Sequence, residues 1–181
     1  VRSDGTEPRR LAANGTFPTF SADGKRVYFS RDRVAMYQVD LETGTESLVF
    51  PKKKRTLSGY SLVMPRVSPD GNFVTFTSDK PERWTAWVAK LGSEEMTRVG
   101  HGCEPGWGSS PDRVAWISTR DARERSGINL FTRNPEDNRI LHDLDAPWGH
   151  EYFPTLVEGV RFLLCGACSP GQHDTFDGDS Q

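Results

Sequence analysis

The chain has 181 residues, a formal net charge of -2 and 35% hydrophobic residues. A charge this close to neutral does not favour a nucleic-acid partner, for which a basic patch or stripe is typical. No apolar run approaches the roughly 18 to 20 residues of a membrane-spanning helix. The three cysteines are an odd number, which does not indicate a disulfide framework.

A motif that begins with proline occurs four times along the chain. Each copy runs from the proline through a polar turn into a segment in which polar and apolar residues alternate. The copies begin at Pro18, Pro65, Pro105 and Pro154, which are 47, 40 and 49 residues apart (18 to 65, 65 to 105, 105 to 154). A period of about 40 to 50 residues built from short strands is typical of a β-propeller.

The first unit predicts four antiparallel strands, which is the number in one propeller blade. Asp23 and Gly24 form the turn between the first two strands, where glycine supplies the positive φ that a tight turn needs. A charged break at residues 31–33 separates the second strand from the third. The strands are predicted at residues 16–20, 25–30, 34–41 and 45–50.

The later units repeat this order of strands and then depart from it. The second and third units predict strands at 62–67, 73–78, 84–90 and 95–100, and at 104–107, 113–118, 127–133 and 138–143. The fourth unit predicts strands at 152–157 and 160–166, followed by a polar, turn-rich tail. Residues 1–12 predict the end of a third strand, a turn and a fourth strand, which are the outer part of a blade.

The predicted fold is therefore all-β, a β-propeller of four-stranded antiparallel blades with about four blades in this chain. We assign a single domain, 1–181, with blades at 13–55, 56–101 and 102–148, an incomplete blade at 149–181 and outer strands at 1–12. Either residues 1–12 complete the last blade and close a ring, or the chain is a fragment of a larger propeller. The missing third strand of the last blade favours the fragment.

Among the aromatic residues inside the predicted strands, six are candidates for the core. Aromatic side chains suit a pleated surface that is covered by a neighbouring sheet. We therefore expect these six to form the core between blades rather than a platform for a ligand. They are Phe20, Phe29, Phe76, Trp107, Trp116 and Phe162.

The turn motif resembles the propeller repeat of TolB-like proteins. The resemblance is carried by Ser68-Pro69-Asp70-Gly71 and by Ser109-Ser110-Pro111-Asp112, and it extends to hairpins at 39–44 and 3–7. It weakens where glycine is lost after Asp112 and where Glu158 replaces aspartate. The resemblance implies a propeller that usually has six blades, which adds weight to the fragment, and a bacterial, periplasmic or otherwise extracytoplasmic location. Such repeats occur in the periplasmic Tol-system protein, in propellers of prolyl-oligopeptidase-like enzymes and in sensor or scaffold domains.

Strand alternation places the blade-to-blade connections and the loops between second and third strands at one end of the blades. We call this end the loop face, and loops on a rigid scaffold are where binding residues tend to lie. The predicted function is non-catalytic binding of a protein or peptide at this face. The candidate binding residues are Arg33, Arg83, His101, Glu104, Arg120, Trp148, His150, Glu151 and Tyr152.

Catalytic and metal-binding motifs are weak in this sequence. It contains no G-x-S-x-G nucleophile elbow, no phosphate-binding glycine loop and no H-E-x-x-H, so the chain is not predicted to be an enzyme. Cys165 and Cys168 have C-x-x-C spacing, but one such pair is a weak zinc or redox signal. No cofactor is predicted, and the weak metal candidates are Cys103, Cys165, Cys168 and His173.

Two alternatives stay open at this point. The first is a regulatory propeller of a prolyl-oligopeptidase-like hydrolase, in which another domain would carry the catalysis. The second is a module with a metal or thiol site formed by the weak candidates. Fold alone does not choose between these functions.

Overall fold

The computed structural model describes residues 8–51, 59–82, 84–119, 126–132, 139–143, 150–152, 155–157, 161–163 and 166–168, with side chains as far as Ile117. The regular structure of these residues is antiparallel β-sheet, and they contain no helix. None of the described segments could therefore span a membrane as a helix. The prediction of an all-β fold is confirmed.

Three four-stranded sheets follow one another along the chain, and in each the strands pair in sequence order. The twelve predicted strands of these sheets are confirmed, with ends that differ by at most one residue. The first sheet holds β1 (Gly15–Phe20), β2 (Arg26–Arg31), β3 (Ala35–Asp40) and β4 (Glu46–Phe50). The second holds β5 (Val63–Val67), β6 (Phe73–Ser78), β7 (Thr85–Lys90) and β8 (Met96–His101), and the third β9 (Cys103–Trp107), β10 (Arg113–Thr119), β11 (Ser126–Thr132) and β12 (Arg139–Asp143).

The described residues of the fourth unit form two short strand pairs. β13 (His150–Tyr152) pairs with β16 (Gly166–Cys168), and β14 (Thr155–Val157) pairs with β15 (Arg161–Leu163). Tyr152 lies opposite Gly166 and Thr155 opposite Leu163, which is the offset that a single hairpin would have. The described strands begin at His150 and extend to Cys168, two residues beyond each end of the predicted segments 152–157 and 160–166.

The Asp-Gly turns are held by one repeated set of hydrogen bonds. The Ser21 N–H donates to the Arg26 carbonyl at 3.0 Å, and the Arg26 N–H donates to the Ser21 hydroxyl oxygen at 3.0 Å. The Ser21 hydroxyl in turn donates to the Asp23 carboxylate, and this bond is the main reason that the pKa of Asp23 lies below its ordinary value. The same bonds recur around Ser68 and Asp70. The Asp-Gly repeat is therefore explained by its role in forming the turn, and no functional role is needed to account for it.

An apolar core fills the interface between the first and second blades. Tyr28, Met36 and Phe50 of the first blade pack against a matching group from the second blade, Leu62, Val74, Phe76 and Ala89. The rings of Phe50 and Phe76 meet with centroids 6.1 Å apart. Both rings are fully buried.

The interface between the second and third blades is filled by a different pair of residues. Phe50 lies opposite Met36 in the first blade, and the corresponding position in the second blade is Gly100, opposite Ala86. Phe76 corresponds to Trp116 in the third blade. A Cβ atom added at Gly100 would lie 3.0 Å from Cζ2 of Trp116. The larger indole therefore occupies the space that a phenyl ring fills at the first interface.

Hydrogen bonds to the inner strand of the next blade also join the blades. The Ser30 hydroxyl donates to the Leu62 carbonyl at 3.1 Å, across the first interface. At the second interface, Thr77 accepts from the Glu104 N–H at 3.0 Å, and Thr75 donates to the Pro105 carbonyl at 2.9 Å. These hydroxyl groups lie on the second strand of a blade. Their alternation with Val27, Val74 and the aromatic residues is the pattern of a sheet that is covered on both faces.

The prediction that aromatic residues pack between blades is wrong for Phe20, whose side chain is 67% exposed. Phe20 corresponds in register to Val67 and Trp107. Trp107 contacts the preceding blade, since its Nε1 donates to the Arg66 carbonyl at 2.8 Å. Among the described residues, the first blade has a neighbouring blade on one side only, so Phe20 has no such contact. Phe162 lies outside the described side chains.

Arg31 covers two rings on the face of the first blade opposite the apolar core. Its Cζ lies 4.5 Å from the ring centroid of Tyr37 and 5.3 Å from that of Phe29, which is a cation–π arrangement. The guanidinium also donates to both carboxylate oxygens of Glu46, at 2.7 and 3.0 Å. This hydrogen bond is the main reason that the pKa of Glu46 lies below its ordinary value.

We expect Glu46 to make the stability of the chain dependent on acid pH. A carboxyl whose pKa is lowered by folding stabilises the folded state above its unfolded pKa, near 4.5, and this contribution is lost as the pH falls through the folded pKa. The free energy of unfolding is measured with urea at about pH 7 and about pH 3.5. Between these two pH values Glu46→Gln should lose less of it than the unchanged chain, by about 0.2–1 kcal/mol, the range for exposed ion pairs. Glu95→Gln, which makes the same chemical change at an exposed side chain, is the control, and its loss of stability on acidification should equal that of the unchanged chain. Equal losses in the unchanged chain and Glu46→Gln would contradict the prediction.

Candidate functional site

The loop between β2 and β3 presents Arg33 at the loop face. Asp32 and Arg33 both have positive φ, 52° and 55°, a conformation that is uncommon outside glycine. The Arg33 carbonyl accepts a 2.7 Å hydrogen bond from the Leu62 N–H at the start of the second blade. The backbone of this turn is therefore tied to the next blade, while the Arg33 side chain is exposed.

The second blade repeats this tie with a longer loop. Trp84, just before β7, has a φ of 51°, and its carbonyl accepts a 2.7 Å hydrogen bond from the Gly102 N–H. Gly102 precedes β9 as Leu62 precedes β5. In the first two blades, a left-handed residue in the second-to-third loop thus holds the chain that enters the next blade, which fixes the positions of the neighbouring side chains.

A charged cluster of Glu82, Arg98 and His101 lies at the loop face of the second blade. The Arg98 guanidinium donates to the Glu82 carboxylate at 2.8 Å and reaches His101 Nε2 at 2.9 Å. His101 Nε2 is 3.9 Å from the same carboxylate oxygen of Glu82. All three side chains are exposed. The Glu82 carboxylate can accept hydrogen bonds from a polar partner, and the Arg98 guanidinium and the His101 imidazole lie beside it. The contacts among the three side chains place these groups together before a partner binds.

Sequence reasoning named His101 but missed Arg98. Residues three apart in a regular strand point to opposite faces. In β8 the register shifts between Arg98, opposite Trp87, and Gly100, opposite Ala86, so the strand contains a bulge. A bulge re-aims a side chain, and here it allows Arg98 to reach His101. The available signal was Gly100 beside the bulge, because a glycine inside a strand often marks one.

Ser61, Ser78 and Asp79 form a polar network beneath the loop face. The Ser61 N–H donates to the Ser78 hydroxyl oxygen at 2.9 Å, and the Asp79 N–H donates to the Ser61 hydroxyl oxygen at 2.9 Å. The Ser61 hydroxyl donates to the Asp79 carboxylate. Ser61 and Ser78 are buried, so these bonds satisfy groups that would otherwise be costly to bury. The network holds the residues just before β5 against the loop that follows β6.

Cys103 and Glu104 are positioned by the second blade interface. Glu104 has a φ of 55°, and its N–H donates to Thr77. Burial raises the pKa of the Cys103 thiol to about 12, with a smaller contribution from the charge of Glu104. A thiolate is the form that binds zinc or attacks an electrophile. Cys103 is therefore held as a neutral thiol at neutral pH.

We expect Cys103 to react slowly with alkylating reagents in the folded chain. In a variant with Cys165→Ser and Cys168→Ser, Cys103 is the remaining cysteine. Its alkylation by iodoacetamide at about pH 8 should be at least tenfold slower than in the same variant unfolded in urea, because burial suppresses the thiolate. Mass spectrometry of quenched samples gives both rates. Equal rates in the two states would contradict the assignment.

The remaining candidates are only partly described. His150, Glu151 and Tyr152 form β13, where His150 lies opposite Cys168 of β16. Among the residues with described side chains, no group of three or more His, Cys, Asp or Glu could hold a metal ion. The candidates that lie outside the described residues are Arg83, Arg120, Trp148, Cys165 and His173.

A cleft of about 320 Å³ lies between the inner strands of the first two blades. Phe17 and Met64, which precede the leading prolines, have φ of 54° and 50°. Both lie at register shifts, where two residues of the inner strand face one residue of the second strand. Sequence reasoning treated the prolines as the start of a repeat and missed the bulges. The cleft is lined by Phe17, Pro18, Thr19, Met64, Pro65 and Arg66.

Comparison with known proteins gives structural relatives. No protein-family model matches the chain, and no curated protein matches its sequence. A putative TolB from Agrobacterium tumefaciens is 23% identical, with a TM-score of 0.56 over 76% of this chain and 53% of that one. TolB from Acinetobacter baumannii is 24% identical, with a TM-score of 0.55 over 83% of this chain and 39% of that one.

A peptidase also has this fold. The acylaminoacyl peptidase of Pyrococcus horikoshii is 16% identical, with a TM-score of 0.60 over 93% of this chain and 30% of that one. The chain thus spans about half of the TolB protein from Agrobacterium tumefaciens, and a smaller share of the TolB protein from Acinetobacter baumannii and of the peptidase. At these identities the likeness shows the fold, which is a TolB-like β-propeller.

Proposed function

We propose that the chain is a non-catalytic propeller module that binds a protein or a peptide through its loop face. The observation that carries this proposal is the exposed cluster of Glu82, Arg98 and His101 on backbone that is tied to the next blade. Arg33 adds a further exposed cation on a tied turn. Charged groups held in fixed positions form strong hydrogen bonds to a partner at a small cost in ordering.

The similarity to two bacterial TolB proteins supports a scaffold or sensor role, and with it an extracytoplasmic location in a bacterium. The second candidate is the regulatory propeller of a prolyl-oligopeptidase-like hydrolase, which the similarity to an acylaminoacyl peptidase favours. In both cases the propeller binds polypeptide. They differ in whether another domain of the same protein cleaves it.

Selection from a displayed random-peptide library tests the proposal on the full chain. Peptides enriched on the chain are synthesised, and their affinities are measured for the unchanged chain, for Arg33→Ala and for His101→Ala. Each variant should weaken binding at least fivefold, as expected on loss of a charge-assisted hydrogen bond. Lys25→Ala and Asn72→Ala, at the opposite end of the blades, should change binding less than twofold.

Two results would overturn the proposal. One is a selection that enriches no peptide with measurable affinity. The other is a set of peptides whose affinity is the same for the loop-face variants as for the unchanged chain. Mass spectrometry of bound peptides after long incubation separates binding from cleavage, and cleavage by the purified chain would contradict the non-catalytic assignment.

A further inference from the structure

We propose that Asn14 and Gly15 form a self-modifying site, at which Asn14 loses its side-chain amide as ammonia and becomes aspartate or isoaspartate. Of the five asparagines in the sequence, Asn14 is the one that a glycine follows. The pair lies at the loop face, since Gly15 begins β1 opposite Arg31, the last residue of β2. Water is the sole co-reactant, so the reaction does not depend on a partner at this face.

The reaction is a ring closure between neighbouring residues, in which the attacking group is already held beside its target. The Gly15 nitrogen loses its proton to solvent and forms a bond to Cγ of Asn14, and the side-chain nitrogen takes up a proton and leaves as ammonia. Water then opens the cyclic imide. Cleavage between Cγ and the nitrogen gives aspartate. Cleavage between the main-chain carbonyl carbon and the nitrogen gives isoaspartate, whose main chain passes through Cγ and is longer by a methylene group.

The fold leaves Asn14 open to this reaction. Its side chain is exposed, and its amide forms no hydrogen bond with another described residue. Residues 13 and 14 form a bend before β1, and the φ of Asn14 is 54°, a left-handed conformation that asparagine tolerates better than most residues. Gly15 is the first residue of β1, and the ends of elements open at a small cost in free energy. Its nitrogen therefore becomes accessible when the end of the strand opens.

The turn at Asp23 and Gly24 shows how the same fold holds a similar pair closed. The Gly24 N–H donates to the Ser21 carbonyl at 3.0 Å, so the attacking nitrogen is engaged. The Asp23 carboxylate accepts from the Ser21 hydroxyl and from the Lys25 N–H at 3.1 Å, so the group under attack is engaged as well. The second blade repeats the serine bonds in its own Asp-Gly turn. Asn14 lacks both of these restraints on its side chain.

Packing of the first blade explains why a glycine follows Asn14. A Cβ atom added at Gly15 would lie 2.8 Å from Cδ2 of Phe29, which is closer than Cβ atoms approach other atoms in proteins. Phe29 is buried and stacks on Tyr37, so its ring cannot move aside. The fold thus requires the glycine that makes Asn14 reactive. Gly15→Ala would strain the blade, and variants of Asn14 are therefore the better test.

The products change the loop face beside Arg31. The Arg31 guanidinium donates to the Ala13 carbonyl at 3.0 Å as well as to Glu46. Loss of the amide adds a negative charge at the next residue along the chain. We expect isoaspartate to displace the Ala13 carbonyl from Arg31, because its main chain is longer. Aspartate keeps the main chain and tolerates the same positive φ.

Peptide mapping of the folded, full chain tests the proposal. After incubation in mildly alkaline buffer, mass spectrometry of the tryptic peptide 11–25 reports on both Asn14 and Asp23. Asn14 should lose its amide at least tenfold faster than Asn72, because glycine has no Cβ to hinder its nitrogen, and because the Asn72 amide donates to Asp70 at 2.9 Å. Enzymatic methylation of isoaspartate should label residue 14 and leave residue 23 unlabelled.

Two variants control for other sources of acidic product. Asn14→Gly suits the positive φ and should not form the acidic species that anion exchange separates from the unchanged chain, whereas Asn14→Asp should elute with that species. The proposal is overturned if Asn14 in the folded chain loses its amide no faster than Asn72, or if Asn14→Gly forms the acidic species at the same rate. Equal labelling of residues 14 and 23 would also overturn it, because the hydrogen bonds of the turn would then give no protection.

Discussion

Replacing Phe76 with alanine is expected to lower the free energy of unfolding by about 3–5 kcal/mol. Phe76 is fully buried between the first two blades, with its ring centroid 6.1 Å from that of Phe50. Truncation removes the apolar contacts of the ring and leaves a cavity that the paired β-strands cannot close. Urea unfolding followed by tryptophan fluorescence measures the loss.

Phe20→Ala is the matched control for this prediction. It makes the same chemical change in another strand of the repeat, but the Phe20 side chain is 67% exposed. Its effect should stay within about 0.5 kcal/mol, the range for surface substitutions. If Phe76→Ala and Phe20→Ala were equally mild, the interface between the blades could not be the apolar core of this chain.

Replacing Gly100 with alanine is expected to destabilise the chain by about 1–3 kcal/mol through overpacking. In an open strand the same change would stabilise by roughly 0.5–1 kcal/mol, since glycine loses more freedom on folding than alanine. The sign reverses because the new methyl would lie 3.0 Å from Cζ2 of Trp116. That atom belongs to a ring that is itself buried between two blades.

A double-mutant cycle with Trp116→Phe isolates this contact. Trp116→Phe alone removes the ring atom that obstructs the methyl, and it also removes the 3.2 Å hydrogen bond from Nε1 to the His101 carbonyl. The combined variant should therefore be less destabilised than the sum of the two single changes, by at least about 0.5 kcal/mol. Additive effects in unfolding experiments would show that the methyl and the indole do not interfere.

The strands of the first three blades could be predicted from sequence because two local signals coincide there. Alternation of polar and apolar residues marks each strand, and Asp23-Gly24 or its counterpart marks the turn that precedes the second strand. Both signals depend on residues close together in the chain. The departures occur at Phe20, whose exposure depends on a neighbouring blade, and in the fourth unit, where the described strands begin at His150 and extend to Cys168.

The candidate site was less predictable because bulges build it. The bulge in β8 allows Arg98 to reach His101, and the bulges at Phe17 and Met64 form the cleft. A bulge adds one residue to one strand. Gly100 lies beside the bulge in β8, and Pro18 and Pro65 lie within the other two, but glycine and proline also occur at strand ends and edges, so they do not identify a bulge by themselves. Sequence reasoning could therefore select the loop face and His101, but it could not find Arg98 or the cleft.

The two junctions between the first three blades carry different aromatic partners, so the order of these blades matters for their packing. Phe50 meets Phe76 at one junction, and Gly100 meets Trp116 at the other. A gene rearrangement that deleted the second blade would bring Phe50 against Trp116, where two large rings compete for one space. A duplication of the second blade would bring Gly100 against Phe76 and leave a void. The first three blades are therefore not interchangeable in their side-chain packing, although their strands pair in the same order.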